Sequence, residues 1–84
     1  MYYFYILRCK DNTLYCGSTK DLKKRETLHN SGRGSKYVRA HGGGTIIYSE
    51  KFRTLSRALK REAQIKQWPR PAKLKLIESR KTGT

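Results

Sequence analysis

Acidic residues are scarce in this chain. Six Asp and Glu stand against twenty Lys and Arg, a formal net charge of +14 in 84 residues. Charge of one sign at that density repels itself, and a polyanion is the partner that relieves the repulsion. DNA or RNA leads; a ribosome-associated protein or a binder of membrane surfaces are the alternatives that charge alone leaves open. Long apolar runs are also missing. Nothing approaches the ~20 residues needed to cross a bilayer. The tyrosine-rich start, Met1 to Leu7, has neither the basic stretch nor the small-residue cleavage site of a secretion signal. The expectation is a soluble, cytoplasmic protein with no membrane partner. Cysteines number two, Cys9 and Cys16, without zinc-ligand spacing or a second pair. They are predicted to be reduced, partly buried strand residues. So short a chain allows a single unit with a modest core and a shallow cleft. That unit is expected at residues 1–79, with 80–84 a frayed basic tail.

What is present reads as a small α+β domain. Residues 2–9, YYFYILRC, are aromatic and apolar at both odd and even positions, the pattern of an inner strand covered on both faces. Turn residues Lys10 to Thr13 separate it from Leu14-Tyr15-Cys16-Gly17, giving a hairpin. Asp21 offers a cap for a helix carrying Leu22, Arg25, Leu28 and His29, which should stop near Ser31-Gly32. Ser35 to Ala40 predicts a short helical turn, and a triple glycine leads into a third strand, Thr45 to Ser49. Thr54 caps a longer helix with Leu55, Ala58, Leu59, Glu62, Ile65 and Lys66 along one stripe. Pro69 ends it and Pro71 opens a last helix, with Leu74 and Ile77 facing inward. The order is β-β-α-β-α-α, without internal repeats.

Several side chains could carry chemistry. Glu62 is the only carboxylate between Lys51 and Ile77. It reads either as an edge residue paired with Lys66 at i,i+4, or as a ligand for a hard cation such as Mg²⁺. Arg25 and His29 share a helix face and can both donate toward a phosphate, with Lys20, Lys23 and Lys24 around them as backbone-tracking charges or as a plain solvated face. His29 could equally be a helix-end residue meeting the negative dipole. Tyr5 and Tyr15 fall on one sheet face if the hairpin loop has an odd number of residues, and on opposite faces if even. A phenol has a pKa near ~10 and can take a proton from water only where positive charge stabilises its phenolate. Strand packing explains both tyrosines without any chemistry.

Taken in order, Tyr3-Phe4-Tyr5, Tyr15-Cys16-Gly17, Asp21 to Arg25 with His29, and Arg61-Glu62 with Ile65-Lys66 resemble the GIY-YIG nuclease superfamily. The resemblance spans residues 2 to about 77 and is nearest to its small stand-alone bacterial members, which share a stretch like Ser35-Lys36-Tyr37. It implies a small three-stranded antiparallel sheet flanked by helices. It also implies metal-dependent endonuclease activity on DNA rather than RNA, in repair or recombination, with a single Mg²⁺ or Mn²⁺. By the same resemblance, Tyr5 and Tyr15 are the candidate base and its supporting phenol, and Arg25 stabilises charge on the phosphate. His29 lies near the nucleophile, Glu62 is the metal ligand, and Lys36 joins Lys20, Lys23, Lys24 and Arg25 as contacts to nucleic acid. The chain departs from the family pattern in three ways. Tyr3 stands where the first motif has glycine, Ser18 where some repair members have lysine, and the late asparagine is missing, since Asn12 and Asn30 are the only asparagines. No separate DNA-reading module is attached, so a protein partner is expected to supply specificity. The competing expectation is a non-catalytic basic module that binds nucleic acid.

Overall fold

The computed structural model describes residues 1–82. Strand β1 (Tyr2–Cys9) lies at the centre of an antiparallel sheet in the order β2-β1-β3, with β2 at Leu14–Thr19 and β3 at Gly44–Phe52. Helices α1 (Leu22–Asn30) and the short α2 (Lys36–Ala40) precede β3, while α3 (Leu55–Lys66) and α4 (Arg70–Thr82) follow it. This is the expected β-β-α-β-α-α fold, with the predicted helical turn realised as α2. Among the described residues, no helix is long and apolar enough to cross a membrane.

The inner-strand reading of β1 holds because the run of apolar side chains from Phe4 to Leu7 is fully buried. Alternation sends Phe4 and Ile6 to one face, where they pack with Cys16, Tyr48, Ile65 of α3 and Ile77 of α4. Tyr5, Leu7 and Cys9 go to the other, under Val38 of α2 with Leu22, Tyr15 and Ile46 at the margin. Cys9 and Cys16 are buried and free. They belong to opposite faces, which keeps them apart. Asp21 caps α1 by accepting the Lys24 N–H at 3.0 Å, and Thr54 caps α3 by accepting that of Arg57 at 3.2 Å.

Three expectations need correction. On α3, Ala58 and Ile65 meet the sheet, whereas Leu55 and Leu59 stay 45% and 47% exposed. The helix is rotated so that Arg61 grips Glu50 of β3 through Nε at 2.8 Å and Nη2 at 3.0 Å. The flank bearing Leu55, Leu59 and Glu62 therefore overhangs the opposite edge of the sheet. On α4, Leu74 is exposed, and Leu76 packs beside Ile77 in its place. Arg80, one turn on, lies with its guanidinium 4.6 Å from the centre of the Tyr48 ring and donates to the Ser49 carbonyl. Arg80 is thus docked, and α4 runs on to Thr82 through residues expected to fray; no helix breaker intervenes after Pro71. The remaining tail residues, 83–84, lie outside the described part.

Ile65 and Leu59 separate these two flanks of α3 energetically. Ile65→Ala should lower unfolding free energy by about 2–5 kcal/mol. Leu59→Ala should stay within about 0.5 kcal/mol. Urea denaturation of the two variants checks the assignment; equal losses would contradict it.

Candidate active site

The site is organised by what Gly17 lacks. In the β1–β2 register Tyr5 faces Gly17 and Leu7 faces Tyr15. Both tyrosines therefore occupy one sheet face, 6.4 Å apart between ring centres. The five-residue turn from Cys9 to Thr13 is the odd-numbered loop this requires. A Cβ on residue 17 would stand 2.5 Å from the Tyr5 hydroxyl and 2.7 Å from its Cζ. The Tyr5 ring therefore lies across the bare backbone of edge strand β2, with its hydroxyl directed toward the sheet margin. Tyr5 itself is fully buried.

His29 meets that hydroxyl from α1. Its Nε2 is 2.9 Å from the Tyr5 oxygen. Its Nδ1 accepts the backbone N–H of Ser35 at 3.3 Å. A ring nitrogen that accepts from an amide carries a lone pair, so the neutral imidazole has its proton on Nε2 and donates it to Tyr5. Burial, then the nearby Arg25 charge, push the His29 pKa below its ordinary value and keep the ring neutral. The close approach of the following loop is possible because residue 34 is glycine, where a Cβ would fall 2.4 Å from Nδ1. His29 sits in the last turn of α1, yet its ring turns inward instead of serving the helix dipole. Tyr15 packs edge-on against it at 5.5 Å and stacks on Tyr37 of α2 at 5.7 Å.

Arg25, one turn before His29, acts electrostatically on both groups. The Tyr5 phenol is pushed up to about 12, by burial first and then by Tyr15; Arg25 pulls the other way, and the Glu62 carboxylate adds to the rise. Glu62 reaches the same margin from the other face of the sheet. Its Oε1 accepts from the Ser18 hydroxyl at 2.7 Å, and its Oε2 pairs with Lys66 at 2.8 Å. At edge strand β2, Tyr5 lies over Gly17 with His29 at its hydroxyl and Arg25 close enough to act on it, Tyr15 stands two residues back on the same face, and Glu62 meets Ser18 from the opposite face. Lys20, Lys24 and Arg25 line an adjoining groove of about 400 Å³ with Thr19, Asp21 and Leu28. Lys23 does not join them; it lines a separate groove with Ile46, Ser49 and Arg80 along β3. Lys36 is exposed on α2.

Residues 1–75 match the model of the GIY-YIG catalytic domain. The chain belongs to the GIY-YIG family. It is 49% identical over 76 residues to a UPF0213 protein of Staphylococcus saprophyticus, covering 90% of this chain and 93% of that one. A UPF0213 protein of Oceanobacillus iheyensis is 48% identical over 77 residues, covering 92% and 90%. The solution structure of a UPF0213 protein from Bacillus halodurans matches with a TM-score of 0.58 and 35% identity, over 93% of this chain and 84% of that one. GIY-YIG membership places the chain in a nuclease superfamily.

For a divalent ion, this GIY-YIG cleft offers oxygen donors, the kind that Mg²⁺ and Mn²⁺ take. Among the described residues no three His, Cys, Asp or Glu side chains gather. Glu62 would therefore hold the ion as its one carboxylate beside the Ser18 hydroxyl, with water and substrate oxygens completing the shell. The Lys66 contact must then open, which a half-exposed lysine on a flexible stem permits. Lys66 was legible as an i,i+4 partner. The Ser18 contact, bridging residues far apart in sequence, left no local signal; nor did the lock that Gly34 and Ser35 place on His29.

Two outcomes follow for His29 in an NMR titration of its imidazole. The midpoint should lie below the ordinary 6.5, and the neutral ring should show the proton on Nε2. A midpoint above 6.5, or a proton on Nδ1, would remove the inward hydrogen bond from the account.

Proposed function

We propose that this chain is a metal-dependent endonuclease that hydrolyses phosphodiester bonds in DNA, acting as one domain over residues 1–79. The observation that carries the reading is the convergence of Tyr5, Arg25 and Glu62 on the Gly17-Ser18 edge of β2. Arg25 would donate to the non-bridging oxygens of the scissile phosphate and absorb the negative charge that grows there. Tyr5, as a phenolate steadied by the His29 Nε2–H, would accept the proton of the attacking water and return to the neutral phenol. Of Tyr5 and His29, this reading gives the base role to Tyr5, because the His29 Nδ1 faces the Ser35 N–H and its Nε2 faces the Tyr5 hydroxyl. Tyr15 would support the ring of His29 by packing edge-on against it.

In the free protein a phenol at about 12 is protonated at neutral pH. Its ionisation needs positive charge beyond that of Arg25, whose downward pull the phenol already feels. A Mg²⁺ or Mn²⁺ ion at Glu62, when bound, supplies Lewis-acid stabilisation of phosphate charge and cancels the carboxylate's upward pull on Tyr5. Since Tyr5 is buried, substrate binding has to open the cleft beside half-buried Arg25 for water to enter. The role we assign is cytoplasmic DNA repair or recombination, with weak intrinsic specificity and a protein partner that directs it.

A second reading, a non-catalytic module that binds nucleic acid, is favoured by one observation: both Glu62 oxygens are already engaged, by Ser18 and Lys66. Incubation of duplex, single-stranded and branched DNA with Mg²⁺ or Mn²⁺ separates the two. The nuclease reading expects metal-dependent nicking that Glu62→Ala abolishes while leaving salt-dependent binding intact. Binding without cleavage under either metal, or full activity in Glu62→Ala, would overturn it.

A further inference from the structure

Each helix that borders the cleft displays an apolar side chain beside its functional one. On α1, Leu28 is 38% exposed and follows Arg25 by three residues, lining the same groove. On α3, Leu55 and Leu59 are 45% and 47% exposed and precede Glu62 by seven and three residues, so they lie on its stripe. Exposed leucines repeated at that spacing are unusual on a helix whose other exposed side chains are small, polar or basic, with Ser56, Arg57, Lys60, Ala63, Gln64 and Lys66 exposed. Core packing does not explain the pair, because Ala58 and Ile65 make the contact with the sheet.

We propose that Leu55 and Leu59 form a seat for an unstacked nucleobase next to the phosphate that is cut. The inference rests on the nuclease reading of the cleft. The charge beside this flank selects the occupant: Lys66 on α3 and Lys20, Lys24 and Arg25 in the adjoining groove draw a polyanion to it. A nucleic acid offers leucine little apolar surface while its bases stay stacked, but presents a whole base face where a step is opened; apolar wedges on minor-groove proteins use that opening. The geometry suits one nucleotide. Residues three or four apart on a helix are about 5–6 Å from each other at Cβ, so a phosphate near Glu62 leaves its own base within reach of Leu59. Arg25, Lys20 and Lys24 across β2 then hold the backbone on the other side. The preferred substrate is DNA with an unpaired or unstacked nucleotide at the scissile step.

Binding without divalent metal tests this independently of cleavage. Three labelled duplexes are compared: one continuous, one with a single bulged thymidine, and one with an abasic residue at the bulge. The native chain should bind the bulged thymidine about tenfold more tightly than the abasic bulge, the value of burying one leucine-sized apolar contact. Leu55→Ser/Leu59→Ser should lose that difference and keep the native dependence on salt, because no phosphate contact is removed. The proposal is overturned if the native chain does not distinguish thymidine from the abasic residue, or if the double variant still does. It is also overturned if sedimentation shows a native dimer that the double variant abolishes, since the leucines would then cover each other. Base preference without cleavage would count against the nuclease reading alone, and cleavage without base preference against the seat alone.

Discussion

The packing of the Tyr5 ring over Gly17 is the contact on which the rest of the site depends. β1 is central and buried on both sides, so a side chain leaving it can reach solvent only by crossing a neighbouring strand. A Cβ at position 17 would stand in the way of the ring. Glycine at 17 lets a phenol rooted in the core place its oxygen near the sheet margin, where side chains from both layers of helices can approach. His29 and Arg25 arrive from one layer and Glu62 from the other. A three-stranded sheet is narrow enough for this to work: one strand separates the core from the edge.

That arrangement also explains the electrostatics. Burial makes Tyr5 reluctant to ionise, and the nearby Glu62 increases the reluctance, while Arg25 opposes both. The same Arg25 charge helps keep His29 neutral and therefore a donor through Nε2. A neutral imidazole N–H steadies a phenolate by a hydrogen bond while keeping its own proton. The free protein thus keeps the Tyr5 phenol protonated, and positive charge brought to the cleft shifts the balance. With twenty basic residues against six acidic ones, most of the surface serves attraction of a polyanion.

Much of this was legible from local signals. Asp21 and Thr54 read as caps because a short polar side chain before a periodic segment has few other uses. The central position of β1 followed from apolar groups at successive positions. The family pattern brought together Tyr5, Tyr15, Arg25, His29 and Glu62, which in isolation also read as strand packing for the tyrosines, a helix-dipole contact for His29 and an edge ion pair for Glu62. What was hidden depended on helix rotation. Leu55, Leu59 and Leu74 carry the same local pattern as residues that are buried, and contacts distant in sequence, such as Arg61 with Glu50, Ser18 with Glu62 and Arg80 with Tyr48, accompany the rotation that leaves them outside. Lys23 was grouped with Lys20 and Lys24 by proximity in sequence, yet one residue along a helix turns a side chain by about 100°, toward β3 in this case.

The central claim is that the Tyr5 oxygen takes the proton of the attacking water. Single-turnover cleavage rates for the native chain and Tyr5→Phe, measured across a pH series with Mg²⁺, test it most directly. With a phenol at about 12, the native rate should climb with pH through the neutral range. Tyr5→Phe should lose about 100-fold or more together with that climb. A Tyr5→Phe protein that keeps both the rate and its rise with pH would contradict the account.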